Sequence, residues 1–363
     1  MTTALVQSSE VTAIEAAGLV ANHYAAAGVF AEYTGAKAQN TLIAQRIDLA
    51  TFTDYLHTAT AGAGCPDAER LQSEASAWRG MTHGLVKGFV LWMLEHGFAI
   101  ASVNRKLSTV KVYANLAYAA DVIGEKEASL IRTVTGYGGT KGKRQDDKRK
   151  NKGLATRKGY KKAVNVELDK DQVQLLKTQP DTPQGRRDAV IMCLLLDHGL
   201  RVGELANLPV KGQVLTGEGL RNVGVFLGKD KNGADTGKFV FYRPKVDKVQ
   251  THELRGEALA AVVRWLATDA PKEGLLLRGS RKGGHLTGAG MSERAITERV
   301  RSLGEAIGVK GLSAHDCRHS WATRVNDAGT DAFALRDAGG WSSLAMPSKY
   351  VGRAAIANER VKL

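Results

Sequence analysis

Three short stretches of the sequence hold side chains suited to binding an anion. In LLLDHGLRVGELANLPV, Arg201 follows the Gly199-Leu200 break of an apolar run, and Glu204 stands three residues further on. In LSAHDCRHSWATRVNDAG, His315 and Arg318 are three apart, with His319 next to the arginine. On a helix, residues three apart share a face, and both of these side chains can donate hydrogen bonds to one anionic group. In LRDAGGWSSLAMPSKYVGR, Trp341 precedes Tyr350 by nine residues. Each stretch also has a plain reading. Arg201 can simply pair with Glu204, His315 can be a satisfied buried histidine beside a surface arginine, and a tyrosine near a C-terminus is most often packing. His315, Cys317 and His319 have no usual zinc spacing and no fourth ligand nearby. No metal site is expected.

These stretches belong to a chain of 363 residues, enough for two domains. Its composition, 43% hydrophobic and 24% charged, is that of an ordinary globular protein. Fifty-one Lys and Arg against 37 Asp and Glu leave a formal charge of +14. Such an excess points to a polyanionic partner, of which nucleic acid is the commonest. Three cysteines, Cys65, Cys193 and Cys317, are too few for a disulfide framework. No signal peptide is recognised, and the longest strongly apolar stretch, Ala189 to Leu196, is far too short for a membrane span. A cytoplasmic protein with no membrane partner is expected.

Four segments are expected. Residues 1–33, rich in Ala, Val and Thr, form an arm or loose helix. Residues 34–134 form a helical domain. Asn40-Thr41 caps a helix through Leu56, Pro66-Asp67 opens a long one that stops at His96-Gly97, Ser102 caps a third, and a fourth runs from about Glu125 to Arg132. Residues 135–162 replace apolar periodicity with glycine and charge, which marks an interdomain linker. From 141 to 162 there are eleven Lys or Arg against two Asp. Residues 163–363 form the larger domain. A helix at Asp169 to Leu176 is followed by an apolar helix from Arg186 to Leu208, broken at Gly199. Strands are expected at 223–227 and 239–243, with 249–254 as a candidate third. The fold class is mainly α, a helical N-terminal domain and a mostly helical C-terminal domain with a small antiparallel sheet.

Together the three stretches resemble the tyrosine recombinase, or phage integrase, family. GLRVGEL matches its first arginine box, HDCRHSWAT its His-x-x-Arg box, and GGWSSLAMPSKYVG its last box, where a His or Trp precedes the nucleophilic tyrosine by nine residues. Order and spacing both agree over about 165 to 360. More weakly, SVNRKLSTVKVYANL looks like a helix of the family's SAM-like core-binding domain. The family also places a catalytic lysine in a hairpin turn between the arginine boxes. In YRPKVDKVQTHEL, Lys245 fits that place, with Lys248 three residues on; Lys248, Lys229 or Lys231 are alternatives.

The resemblance implies that Tyr350 attacks a DNA phosphorus and forms a 3′-phosphotyrosyl bond, releasing a 5′-hydroxyl. Arg201 and Arg318 would hold the non-bridging oxygens, since a planar guanidinium fork suits phosphate. His315 would add a hydrogen bond or act on the tyrosyl proton, Trp341 would pack or donate its indole N–H, and Lys245 would protonate the leaving oxygen. Glu204 would hold a cationic or backbone neighbour in place. No metal, cofactor or ATP is implied. The expected partners are double-stranded DNA and further copies of the chain, four protomers on two duplexes. Candidate DNA-binding residues are Arg105, Lys106 and Lys111 on the third helix, and Lys141, Lys143, Arg144, Lys148, Arg149 and Lys150 in the basic segment. The residues after Tyr350, VGRAAIANERVKL, are expected to dock on a neighbouring protomer. Two kinds of alternative stand beside this reading. One uses the same chemistry on a single duplex, as a type IB topoisomerase or telomere resolvase does. The other is a DNA-binding relative without catalysis.

Overall fold

A computed structural model of the chain describes residues 12–62, 64–158 and 165–351. The chain divides into two compact units, Met1–Lys161 and Lys162–Leu363. The described residues are mainly helical and carry one four-stranded antiparallel sheet and one two-stranded ribbon, in line with the expected fold class. None of their helices is long and apolar enough to cross a membrane.

The first unit holds α1 (Ala13–Gly35), α2 (Gln39–Ala59), α3 (Ala68–Ser73), α4 (His83–Glu95), α5 (Ile100–Ala119), α6 (Glu125–Thr133) and α7 (Gly139–Asn151). The long helix expected from Pro66 to His96 is two helices with a 3-10 turn, Ala75–Trp78, between them. The break lets the Trp78 ring turn inward, where it is fully buried and its indole N–H donates to the Leu71 carbonyl at 2.8 Å. Phe52 and Tyr113 flank that ring at centroid distances of 6.0 and 6.1 Å, nearly parallel to it. The caps of α2 and α5 also differ from expectation. Ala38 and Ala99 occupy those positions and make no side-chain hydrogen bond.

Much of the segment expected as a linker is α7, a part of the first unit. Gly142 and Arg149, seven apart and thus on one helix face, are its buried residues. Arg149 donates to the carbonyls of Leu94 at 3.2 Å and Phe98 at 2.8 Å, and pairs with Asp146. Lys141, Lys143, Arg144, Lys148 and Lys150 are exposed.

The second unit begins with α8 (Lys170–Lys177), α9 (Pro183–Asp197) and α10 (Val202–Ala206). The sheet follows, in the order β1 (Lys211–Thr216), β2 (Gly219–Lys229), β3 (Asp235–Arg243) and β4 (Lys248–Leu254), each strand antiparallel to the next. Then come α11 (Gly256–Thr268), the ribbon of β5 (Arg278–Ser280) and β6 (Leu286–Gly290), and α12 (Glu293–Ala306). The chain closes with α13 (Ala314–Asp327), α14 (Ala332–Gly339) and α15 (Ser348–Val351). The apolar α9, with Val190 to Leu196 all buried, is the spine of the core. α11 and α13 pack against it, and Phe239 and Phe241 of β3 belong to the same cluster. The residues after Val351, expected to bridge protomers, lie outside the described residues.

His198 and His252 meet at the margin of this core at a centroid distance of 5.6 Å, edged by Phe239 and Phe241. Burial pushes the pKa of His198 down to about 4. Burial, followed by the charges nearby, pushes His252 down to about 3. Both folded values lie below the unfolded value of about 6.5. Their stabilising contribution is therefore complete above pH about 6.5 and is lost as pH falls toward 4 and 3, as the unfolded chain takes up protons first. Each histidine adds a slope of at most about 1.4 kcal/mol per pH unit in that window. The melting temperature should fall on acidification from pH 7 to 4.5, and His252→Phe should make that fall shallower. An equally steep fall in the variant would show that other groups carry the acid sensitivity.

Candidate active site

The Gly199 break between α9 and α10 sets the first arginine. Gly199 has φ +60°, and a Cβ there would lie 2.2 Å from the Trp321 ring, so both conformation and space require glycine. Arg201 then caps α10. Its backbone N–H donates to Glu204 Oε2 at 2.9 Å, and its Nη1 donates to Glu204 Oε1 at 2.6 Å. Its Nη2 reaches the Gly340 carbonyl at 3.2 Å.

Arg318 approaches from α13. The start of that helix is fixed by Asp316, whose carboxylate accepts from the Ser313 backbone and hydroxyl and from the Val166 N–H. Arg318 is buried and donates to the carbonyls of Gly199 and Gly339. Its guanidinium carbon lies 4.5 Å from the centre of the Trp341 ring. Burial, followed by repulsion from Arg201, pushes its pKa down to about 9. The opposite charge of a bound anion would offset both. Arg201, Glu204, Arg318 and Trp341 thus meet around the Gly339–Gly340 main chain.

Tyr350 sits beside Trp341, its ring centroid 6.0 Å away. It is 3% exposed, packed with Trp321, Ala322 and Leu335, and its carbonyl accepts from Asn326 at 3.3 Å. Its hydroxyl lies 2.9 Å from His319 Nδ1, and His319 Nε2 lies 3.2 Å from His315 Nε2. The hydroxyl and the two imidazoles therefore form one chain that includes the exposed His315. His319 was visible in the sequence only as the neighbour of Arg318. Its spacing from His315, four residues, was the available signal for a shared face.

Lys245 is exposed in the β3–β4 turn, Pro244 to Asp247. Lys248 starts β4 and pairs in register with Arg243. Arg243, not singled out from the sequence, is buried and shares Glu204 Oε1 with Arg201, at 3.3 Å. Among the described residues no group of three or more His, Cys, Asp or Glu could hold a metal ion.

The DNA-contact candidates are less uniform than the sequence implied. Lys106 is buried, bound to Asp48 at 3.1 Å and Thr51 at 2.7 Å, and Arg149 is buried in α7. Both serve the interior of the first unit, because a buried charge needs a partner. Lys111 donates to the carbonyls of Arg132 at 2.7 Å and Val134 at 2.9 Å, closing the end of α6. Arg105 is half-exposed and pairs with the same Asp48 at 2.8 Å.

The family model described as "Phage integrase family" matches residues 167–355, more than half of the chain and the span that holds this whole cluster. The chain belongs to the phage integrase family. Its curated relatives bear this out. The recombinase is 25% identical over 279 residues to the tyrosine recombinase XerC of Bifidobacterium longum subsp. infantis, covering 73% of this chain and 72% of that one. It is 24% identical over 327 residues to XerC of Roseiflexus castenholzii, covering 86% and 82%. Among solved structures, the Tn1549 transposon integrase in complex with transposon right end DNA superposes with a TM-score of 0.53 at 15% identity. That match covers 92% of the recombinase and 96% of the solved integrase chain, its residues 82–397, a likeness of fold. As a site-specific tyrosine recombinase, the protein is an enzyme of DNA breaking and rejoining.

Proposed function

We propose that Tyr350 is the nucleophile, and that its oxygen attacks the scissile phosphorus as the bond to the 5′-oxygen breaks. A phenol is mostly neutral at pH 7, with a pKa of about 10, so it needs an acceptor for its proton. His319 contacts the hydroxyl, and His315 beyond it opens to solvent. Arg201 and Arg318 hold the non-bridging oxygens and oppose the charge that grows in the transition state. Glu204 orients Arg201, and Trp341 packs across Arg318 or turns its indole N–H to the phosphate. Lys245 returns a proton to the departing 5′-oxygen. The phosphotyrosyl bond conserves the energy of the phosphodiester, so a 5′-hydroxyl can attack it and reverse the step without ATP.

The observation that carries this reading is the meeting of Arg318 with Trp341, of Trp341 with Tyr350, and of Arg201 with the Gly340 carbonyl next to Trp341. Double-stranded DNA is the substrate. The exposed cations of α7, together with Arg105 and the partly engaged Lys111, supply contacts to its phosphates. Four protomers on two duplexes would complete an exchange.

A duplex nicked near the cleavage point loses its short end on cutting and traps the intermediate. The wild-type protein should become linked to the 3′ end through Tyr350 in the presence of EDTA. Linkage through another residue, or to the 5′ end, would sink the assignment. Supercoil relaxation by a single protomer without exchange of partners would favour the topoisomerase alternative.

A further inference from the structure

We propose that Arg243 is a positioning residue for strand cleavage: buried beneath the site, it ties the turn that carries Lys245 to both arginines of the phosphate clamp. This rests on the reading of Lys245 as the proton donor.

Arg243 is the last residue of β3, and the turn begins at the next residue. It is 1% exposed, so it acts through its neighbours and not on DNA. Its Nη1 donates to Glu204 Oε1 at 3.3 Å and to the Gly339 carbonyl at 2.6 Å, and its Nη2 donates to the Ala338 carbonyl at 3.0 Å. Glu204 Oε1 is the same atom that holds Arg201. The Gly339 carbonyl is the same atom that holds Arg318. Arg243 therefore shares one acceptor with each arginine of the clamp. The hairpin has a second stitch to the same main chain, from Gln250 of β4 to the Asp337 carbonyl at 2.6 Å. The turn is also held at its tip. Asp247, at φ +47°, accepts from the Tyr242 hydroxyl at 2.8 Å and from the Gly217 N–H of the β1–β2 turn at 2.9 Å.

Burial of a guanidinium is costly unless it is fully paired, and an apolar side chain of similar volume often serves stability as well or better. Stability alone therefore gives little reason for an arginine at the base of this hairpin. Placement does. A general acid must come within hydrogen-bond reach of the atom it protonates, and a lysine on an exposed turn has many orientations. The forked donors of Arg243 fix the base of that turn to the groups that hold the phosphate. A small misplacement of a reacting group costs a large factor in rate.

The test is single-turnover cleavage of two nicked duplexes, one ordinary and one with sulfur at the 5′-bridging position of the scissile link. The sulfur leaves without needing a proton. Full-length wild-type, Lys245→Ala, Arg243→Met and Arg243→Lys proteins are compared, with melting curves for each. Arg243→Met should cleave the ordinary duplex about 10²-fold slower, the scale of one general acid. The sulfur duplex should recover most of that loss, as it does for Lys245→Ala. Arg243→Lys keeps the charge but not the fork, and should show a smaller loss with the same recovery; it carries the test if the Met variant does not melt cooperatively. A folded Arg243 variant that is as fast as wild type, or equally slow on both duplexes while Lys245→Ala is rescued, overturns the proposal and leaves Lys245 standing. If Lys245→Ala itself is not rescued, Lys245 is not the acid and the proposal falls with it.

Discussion

Tyr350→Phe should reduce covalent protein–DNA complex to background while leaving DNA affinity and fold nearly unchanged. The substitution removes one hydroxyl and keeps the ring that packs with Trp321, Ala322 and Leu335. The lost contact to His319 is a single hydrogen bond of 2.9 Å, worth on the order of 1 kcal/mol of stability. No phosphate contact is removed, so binding has no reason to change. The loss of linkage should be complete, because phenylalanine has no atom able to attack phosphorus. The measurements are trapping on the nicked duplex, equilibrium binding to the intact duplex, and melting temperature, all on one preparation. Residual linkage at the wild-type site would assign the nucleophile elsewhere. A large fall in affinity would mean that the hydroxyl binds DNA and does more than cut it.

The second large effect should come from α7. Lys141, Arg144 and Lys148 fall at spacings of three and four and share one face of that helix, and Lys143 and Lys150 are seven apart on another. All five are exposed. Changing them together to Gln leaves Arg149 and its interior hydrogen bonds in place, so the helix should remain seated. If each contacts a phosphate, the log–log dependence of affinity on salt should flatten by roughly 0.9 units per contact, about 4.5 in all. Affinity should fall for all sequences alike, because phosphate contacts carry no base information. Binding titrations across a salt series, on specific and unrelated duplexes, decide the matter. An unchanged slope would place α7 away from the DNA, and a loss confined to the specific duplex would give it a reading role.

Some of this was legible in the sequence because it is local. The spacing of His315, Arg318 and His319 is helix geometry, and the Gly199 break is backbone chemistry visible in one residue. Apolar strings named α9, β2 and β3. Other features depend on partners far along the chain. Nothing in the sequence around Arg243 marks it as buried. It is buried only because carbonyls 95 and 96 residues away turn toward it. Within the basic run, charge count cannot distinguish the outward lysines from Arg149, whose place is set by carbonyls on and just beyond α4. Lys106 misled for the same reason, its partner Asp48 being 58 residues earlier. The stretch from Pro66 to His96 has continuous helical spacing. The break that seats Trp78 comes from tertiary packing overriding that pattern. β1, KGQVLT, is polar and edge-like, with neither an apolar run nor clean alternation to announce it.

The acceptors that gather the three guanidiniums are, Glu204 apart, main-chain carbonyls: Gly199, Ala338, Gly339 and Gly340. Every amino acid brings such an oxygen, so mutation cannot delete these anchors. It can only crowd them. A Cβ at Gly339 would lie 2.1 Å from the Trp341 ring, and one at Gly340 would lie 2.4 Å from the Arg243 guanidinium. What heredity must preserve at these positions is therefore vacancy. The fork of each arginine is written in its own codon, but the seat it occupies is secured by side chains the gene omits.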